Sequence, residues 1–268
     1  MEKISIVILN YLNYQDTIEC VDSILRTGYE IEGIVIVDNH SNNESFAVLR
    51  RKYQKNAKVV IVKSRKNYGF AKGNNIGINI ARKRFQSDFV FVANNDIIFT
   101  QKDYFRKLLD CYEDGVGVIG SEIRLEGDIV QKRYLIYTTL KDAVTLYLYY
   151  FSLLSNNVTL RTLLPKVYRS EYALHGCAML LTPAFFQYYD GLYQRTFLYC
   201  EEDILFLMCK MHNLEQRYVG DTYIFHKENK SSQMSFQDDQ GVKTKYQLQS
   251  IKYVIWWMVK ERMHQIFL

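Results

Sequence analysis

A doubly wound α/β fold, with a mostly parallel central sheet and helices on both faces, is what the sequence predicts. Three observations lead there. Short runs of β-branched and aromatic residues recur through the first 120 residues, each an unbroken apolar stretch suited to a strand buried on both faces. Segments with apolar residues at helical spacing lie between them. Strand–helix–strand repetition then calls for right-handed crossovers that place helices on either side of a parallel sheet.

The elements follow in order. "ISIVIL" (4–9) is the first strand, beginning almost at the first methionine. In "YQDTIECVDSILRTG", Ile18, Val21, Ile24 and Leu25 recur at helical spacing, Asn13 is a fitting N-cap and Gly28 a fitting stop. "GIVIV" (33–37) and "KVVIV" (58–62) are further strands, separated by the helical "NESFAVLRRKYQK". "GNNIGINIARKRF" is the third helix and "DFVFVA" (88–93) the fourth strand. After Gly120 the alternation loosens: "SEIRLEGDIVQKRYLIY" is mixed, and residues 143–168, rich in Leu and Tyr, read as helical. "YALHGCAMLLT" (172–182) reads as a buried strand, "EEDILFLMCKMHN" (201–213) as a helix opening with three acids, and "EQRYVGDTYIFH" as a strand. "KYQLQSIKYVIWWMVKERMHQIF" closes the chain as a helix. No internal repeat, low-complexity tract or Pro/Gly/Ser linker divides it, which predicts one continuous domain with an elaborated second half.

Composition narrows the function. At 268 residues and 48% hydrophobic the chain can bury a full core. A formal charge of +5 suits an anionic small molecule or an anionic lipid surface, and is too weak to point to nucleic acid. The cysteines, Cys20, Cys111, Cys177, Cys200 and Cys209, are odd in number and form no CxxC pair, so reduced thiols in a cytoplasmic protein are expected. "MEKISIVILN" lacks the pattern of a signal peptide. No stretch approaches the ~20 apolar residues that span a bilayer; the nearest, "AVTLYLYYFSLL" (143–154), is too short. A soluble or peripherally bound chain is expected.

Ligands of doubly wound sheets bind beyond the carboxyl ends of the strands. The first strand exits into Asn10-Tyr11, the second into Asp38-Asn39 and the fourth into Asn94-Asn95-Asp96. A tyrosine ring and a carboxylate at neighbouring strand ends can hold a nucleobase, Tyr11 by stacking and Asp38 by accepting from an N–H. The same Asp38 and Asn39 also suit a simple turn in "DNHSNNES". Three polar strand ends together favour ligand binding. In "NYGFAKGNNIG" (67–77) the glycines at 69, 73 and 77 match neither a dinucleotide nor a P-loop spacing. They admit a backbone approach to an anion, or ordinary punctuation at the start of a helix.

"VILNYLN", "IVDNHSNNES", "NYGFAKGNNIGI", "FVANNDI", "HGCAMLL" and "FLYCEEDIL", in this order, resemble family 2 glycosyltransferases over roughly residues 1–230. The similarity is greatest to the rhamnosyltransferase-like enzymes of bacterial surface-polysaccharide synthesis, of capsule or O-antigen type. The resemblance implies a GT-A fold over residues 1–240, with a nucleotide-binding half at about 1–120 and an acceptor half at about 121–240. It implies a nucleotide-diphosphate sugar donor, a divalent metal (Mn or Mg), and transfer with inversion to a hydroxyl of a glycan acceptor that is polyprenyl-diphosphate-linked. Donor-binding residues carried over by position are Asn10, Tyr11, Asp38, Asn67, Gly69, Lys72, Asn74, Asn94 and Asn95.

Asn94-Asn95-Asp96 stands where the family has a D-x-D metal motif, with the first Asp replaced by Asn. One carboxylate can still anchor Mn²⁺ or Mg²⁺, because diphosphate and water supply the remaining oxygens. Asp96 is then the ligand, Asn94 a partner of the ribose or a bound water, and Asn95 a turn residue. By position Glu202 is the base and Glu201 bonds the acceptor or orients the loop, although three acids in a row leave Asp203 open as the base. His226 is a second metal ligand or a structural histidine. Lys227 and Lys230 neutralise phosphate or are solvated. His175 and Gly176 lie on the acceptor side, and Cys177 belongs to the core. The missing first Asp admits one alternative, a catalytically inactive GT-A module that binds a sugar nucleotide or a partner enzyme.

Residues 241–268 form a basic, aromatic C-terminal helix. Lys245, Gln249, Lys252, Trp256, Lys260 and His264 make one narrow stripe, and Lys243, Lys245, Lys252, Lys260 and Arg262 face only Glu261. Two readings stand: a helix on the inner membrane surface, or one packed on the domain or at a homodimer interface.

Overall fold

A computed structural model describes residues 2–132, 134–169, 171–227 and 239–266. The first half builds the alternation its hydrophobic runs predict: β1 (Ile4–Asn10), α1 (Tyr14–Thr27), β2 (Gly33–Asp38), α2 (Ser45–Tyr53), β3 (Val59–Lys63), α3 (Phe70–Arg84) and β4 (Phe89–Asn94). Asn13 caps α1 by accepting from the Asp16 N–H, and Gly28 ends it at φ +70°, a left-handed conformation that suits glycine. The four strands pair in parallel in the order β3-β2-β1-β4, with Asn10 directly beside Asp38. α3 lies close on β1, where a Cβ on Gly77 would stand 2.3 Å from Val7 Cγ1. Two of the glycines in "NYGFAKGNNIG" thus serve packing, since a Cβ on Gly73 would likewise press on Leu9.

The second half consists of β5 (Ile97–Ile98), α4 (Tyr104–Asp110), β6 (Val116–Leu125), β7 (Ile129–Val130), β8 (Tyr134–Ile136), α5 (Leu140–Leu154), α6 (Val158–Leu163), β9 (Glu171–Ala173), β10 (Ala178–Leu181), α7 (Pro183–Phe186), α8 (Glu201–Met211), β11 (Glu215–His226) and α9 (Gln240–Ile266). The main sheet runs β3-β2-β1-β4-β10-β6-β11-β5, with β7 beside β6. β10 is antiparallel to both β4 and β6, so the parallel first half continues into a mixed second half. The single strand predicted at 172–182 divides into β9, which pairs with β8 in a separate two-stranded sheet, and β10 in the main sheet. His175 and Gly176 occupy the turn between them.

Alternate side chains of the strands supply two cores. Ile4, Ile6 and Ile8 pack with Cys20, Val21 and Ile24 of α1, Leu49 of α2 and Phe105 of α4. Val7, Val35 and Val37 face Ile78 of α3, with Ile204 and Met208 of α8 and Trp257 of α9 in the same cluster. No disulfide joins the cysteines. Ile251, Val254, Trp257 and Met258 are buried, so α9 packs on the domain, while Lys245, Gln249, Lys252, Trp256 and Lys260 form an outward stripe. Among the described residues no helix is long and apolar enough to cross a membrane.

Candidate active site

The parallel register places the first two polar strand ends together. The Asn10 amide donates to Asp38 Oδ2 at 2.8 Å, and the Ser41 N–H donates to Oδ1 at 3.0 Å. The Thr17 hydroxyl donates to Asn10 Oδ1 at 2.8 Å. Asn10 and Asp38 are both fully buried, so protein donors already meet this carboxylate. Tyr11 is half-buried beside them. The neighbouring Asn39, which with Asp38 makes the second polar strand end, is a hub. Its amide donates to Asn67 Oδ1 at 2.9 Å and to the Gly69 carbonyl at 3.2 Å, and its own carbonyl accepts from the Tyr68 N–H at 3.0 Å.

Gly69 has φ +76°, and a Cβ there would stand 2.1 Å from the Phe197 carbonyl oxygen. The next residue, Phe70, donates its N–H to that same oxygen at 2.9 Å. This glycine therefore seats the loop that leads into α8 against the start of α3. Lys72 is exposed, with Nζ 4.8 Å from the Tyr68 ring centre. Asn74 is buried within α3; its amide donates to the Phe70 carbonyl at 3.0 Å and its Oδ1 has no partner.

At the end of β4 the polar triplet separates into distinct roles. Asn95 donates to the Asn13 carbonyl at 3.0 Å and to Thr17 at 3.1 Å, which fixes the turn as expected. Asn94 lines a cavity. Asp96 is 4% exposed, and its Oδ1 lies 3.3 Å from His226 Nε2. Pairing of β5 with β11, which sets His226 opposite Ile97, brings the two side chains together. Asp96 Oδ1 and His226 Nδ1 are buried without hydrogen-bond partners. A carboxylate oxygen in that state is costly unless a cation or donor meets it, so the pair fits a divalent ion with two protein ligands. Among the described residues no group of three or more His, Cys, Asp or Glu side chains could hold one. Lys227 is directed elsewhere: its Nζ lies 3.0 Å from Asp16 Oδ1 and also pairs with Glu19. Lys230 lies outside the described residues.

The acids of α8 begin immediately after Tyr199 and Cys200, whose φ values of 74° and 63° are both left-handed. Two such non-glycine residues in succession cost roughly 1–2 kcal/mol each and persist only where their surroundings hold them. Successive helical residues then project about 100° apart, and the acids find three different environments. Glu202 Oε1 accepts the Gly176 N–H at 3.1 Å. Asp203 is 1% exposed; it accepts the Tyr134 hydroxyl at 3.1 Å and the Tyr137 N–H at 3.4 Å. Burial, reinforced by the Glu202 charge, pushes its carboxyl up to about 6. Burial and the charge on Asp203 push the Tyr134 hydroxyl upward, which keeps it a donor. Glu201 Oε1 is buried without a partner, and burial followed by repulsion from Glu202 pushes this carboxyl up to about 8.

A cavity of about 370 Å³ brings together Asn94, His175, Gly176, the three acids and His226. Asn10, Tyr11, Asp38, Asn67, Gly69, Lys72, Asn74, Asn95 and Asp96 do not line it; they belong to the adjoining strand ends and α3, and Asp96 meets the cavity wall only through His226. Among the lining residues that sequence reasoning missed are Tyr134, Tyr137, Arg169 and Gln247. Arg169 donates to the Tyr137 hydroxyl at 2.7 Å and lies 4.5 Å from the centre of its ring. Nothing near "KVYRS" distinguishes Arg169 from a surface cation. Gln247 enters from α9, so the C-terminal helix contributes to the cavity.

The chain is similar in fold to several solved structures. The crystal structure of S. aureus TarS 1-349 aligns with a TM-score of 0.56 and 12% identity, covering 97% of this chain and 71% of that one. The same protein in complex with UDP-GlcNAc aligns at 0.57 and 15% identity, covering 87% of this chain and 60% of that one. GalNAc-T7 with UDP, GalNAc and Mn²⁺ aligns at 0.61 and 12% identity, covering 85% of this chain and 44% of that one. At such identities the likeness shows the fold alone, and the chain spans between under half and about seven-tenths of these proteins' lengths. No curated protein matches its sequence. A family model does, over residues 5–170, a span that carries β1 to β4, the Asn94–Asp96 triplet and Arg169. By that match the chain belongs to glycosyl transferase family 2.

Proposed function

We propose that this chain moves a sugar from a nucleotide-diphosphate donor to a hydroxyl of a glycan acceptor, with inversion at the anomeric carbon. The observation that carries the proposal is the Glu202 carboxylate, held at 3.1 Å by the Gly176 N–H in a cavity that also contains His226. UDP-GlcNAc bound to TarS, and UDP with Mn²⁺ bound to GalNAc-T7, support a nucleotide-sugar donor and a metal here. Asp38 and Asn10, with Tyr11 and the Asn39–Asn67 turn, form the floor for the nucleoside. Gly69, Lys72 and Asn74 mark the adjoining start of α3.

Asp96 and His226 would hold the divalent ion, which when bound neutralises charge developing on the diphosphate leaving group. Glu202 takes the proton from the acceptor hydroxyl while that oxygen attacks the anomeric carbon from the face opposite the diphosphate. The Gly176 N–H steadies the carboxylate for this step. Asp203 positions Tyr134 and the Tyr137 backbone, and Glu201 sits protonated behind them. His175 borders the acceptor. Because the acceptor oxygen enters on the face opposite the departing diphosphate, a single displacement inverts the centre. A lipid-linked acceptor, carried by a polyprenyl diphosphate in surface-polysaccharide synthesis on the cytoplasmic side of a membrane, suits the exposed apolar segment beside the cavity.

The test is donor turnover by the purified protein with UDP-, GDP- and dTDP-sugars, with Mn²⁺ or Mg²⁺ and with EDTA. Transfer or donor hydrolysis that requires metal and is lost in Glu202→Gln supports the assignment. Donor binding without turnover under every condition would instead identify an inactive binding module.

A further inference from the structure

α5 leaves large apolar side chains outside as well as inside. Its buried side carries Ala143, Thr145, Leu146 and Ser152, whereas Val144, Phe151 and Leu154 are exposed. α6 buries no residue at all. Its Val158 and Leu163 are 57% and 77% exposed, and Tyr168 beyond it is 68% exposed. The two helices pack on one another. The Tyr168 N–H donates to Asp142 Oδ1 at 3.3 Å, which folds the segment back to the start of α5. A run of large apolar side chains left outside across two adjoining helices is the pattern of a face that something covers.

Charge decides between the occupants. From Leu140 to Arg169 the sequence holds Lys141, Arg161, Lys166 and Arg169 against one acid, Asp142, which already accepts from the Tyr168 N–H. A second copy meeting this face about a two-fold axis would set these cations largely against themselves. An anionic lipid surface answers both features, with acyl chains for the apolar side chains and headgroups for the cations. We infer that the α5–α6 segment docks the protein on an anionic bilayer, lying in the interface. α5, with 15 residues, is about 22 Å long against a hydrocarbon core of about 30 Å, so it lies on the bilayer and does not cross it. Tyr137, Tyr150 and Arg169, at or within the same segment, line the active-site cavity, so docking brings that cavity to the lipid surface. The purpose of this docking rests on the lipid-linked acceptor proposed above; the contact itself does not.

The test is co-sedimentation of the full chain with phosphatidylglycerol-containing vesicles and with pure phosphatidylcholine vesicles, for the wild type and for Phe151→Glu/Leu163→Glu. The wild type is expected to sediment with the anionic vesicles, less so at high salt, and the double variant to bind at least about tenfold more weakly. Neither position lines the cavity, so metal-dependent donor turnover in solution should be unchanged in the variant. A wild type that stays in the supernatant with both vesicles overturns the inference, as does a variant that binds like the wild type. Equal binding to neutral vesicles, or a homodimer in solution that the same substitutions dissociate, also overturns it. The vesicle assay contains no donor, so its failure would leave the transfer reaction standing, and loss of turnover would leave the docking standing.

Discussion

Replacing Glu201 with Gln separates a buried, protonated acid from a catalytic one. Glu201 Oε1 is buried without a partner, and burial plus repulsion from Glu202 pushes its carboxyl up to about 8 from an ordinary value of 4.5. An acid raised on folding binds more protons in the native than in the unfolded chain between those two values. Its contribution to stability is therefore intact below pH 4.5, is lost progressively as pH rises, and levels off above about pH 8. Each unit is worth roughly 1.4 kcal/mol, so by pH 8 the wild type has lost on the order of 4 kcal/mol that a neutral Gln does not lose. Urea unfolding of Glu201→Gln and wild type, from pH 4.5 to 9, reads this directly. The two proteins should match at the acid end, and the variant should pull ahead with rising pH. Turnover at neutral pH should fall far less than in Glu202→Gln, because Gln reproduces the size and polarity of the protonated acid. A constant stability difference across the range, or a variant that weakens as pH rises, would refute the assignment of a buried neutral acid.

Glu202→Gln should lower kcat by about 10²–10⁴-fold, the usual scale for a general base, with stability in urea no lower than wild type, since the substitution also relieves repulsion on Glu201 and Asp203. Asp96→Asn should abolish metal-dependent turnover and the thermal shift produced by Mn²⁺ with donor, while the protein remains folded. Gly176→Ala would place a Cβ 2.7 Å from Glu202 Oε1. It should cut kcat by up to about 100-fold through a displaced carboxylate, with donor affinity retained in a thermal-shift titration. Gly69→Ala combines a positive φ with a Cβ 2.1 Å from the Phe197 carbonyl. It should destabilise by about 2–4 kcal/mol in chemical unfolding, and by parting the loop before α8 from α3 it should also impair turnover.

The legible part of the fold was the part in which local pattern and tertiary role coincide. β1 to β4 are unbroken apolar runs because both faces are buried, and the cap at Asn13 and stop at Gly28 act within their own turn. β9 and β10 were read as one strand because an apolar run does not reveal a turn whose purpose is to aim the Gly176 N–H at a side chain 26 residues away. The glycines at 69, 73 and 77 had the same difficulty. Their constraint comes from Phe197, Leu9 and Val7, and the spacing carries no trace of those neighbours. Asp96 was legible as a polar interruption in a buried strand, yet its meeting with His226 depends on β5 pairing with β11 across about half of the chain. Arg169 and Gln247 were not legible, since an exposed cation and a helix amide acquire meaning only from the cavity they border.

The three acids of "YCEEDIL" show why the register of the base could not be settled from the string alone. In sequence they are equivalent carboxylates at a helix start, each favoured there by the helix dipole. Folding makes them unequal, because a helix turns about 100° per residue and the left-handed pair Tyr199–Cys200 sets where the first of them points. Asp203 is turned toward Tyr134 and Tyr137, where it fixes the wall of the cavity, and Glu201 into apolar packing, where it holds a proton to about pH 8. Only Glu202 is bonded to a backbone donor of the acceptor-side turn, at an atom that borders the cavity. Two neighbours with raised pKa values beside it also keep like charge from accumulating at the helix start, since each proton retained by Glu201 or Asp203 removes a repulsion that Glu202 would otherwise meet. The cluster thus acts as one carboxylate with two supports, and exchanging the roles would require rotating α8, which its packing on α9 and Tyr189 resists.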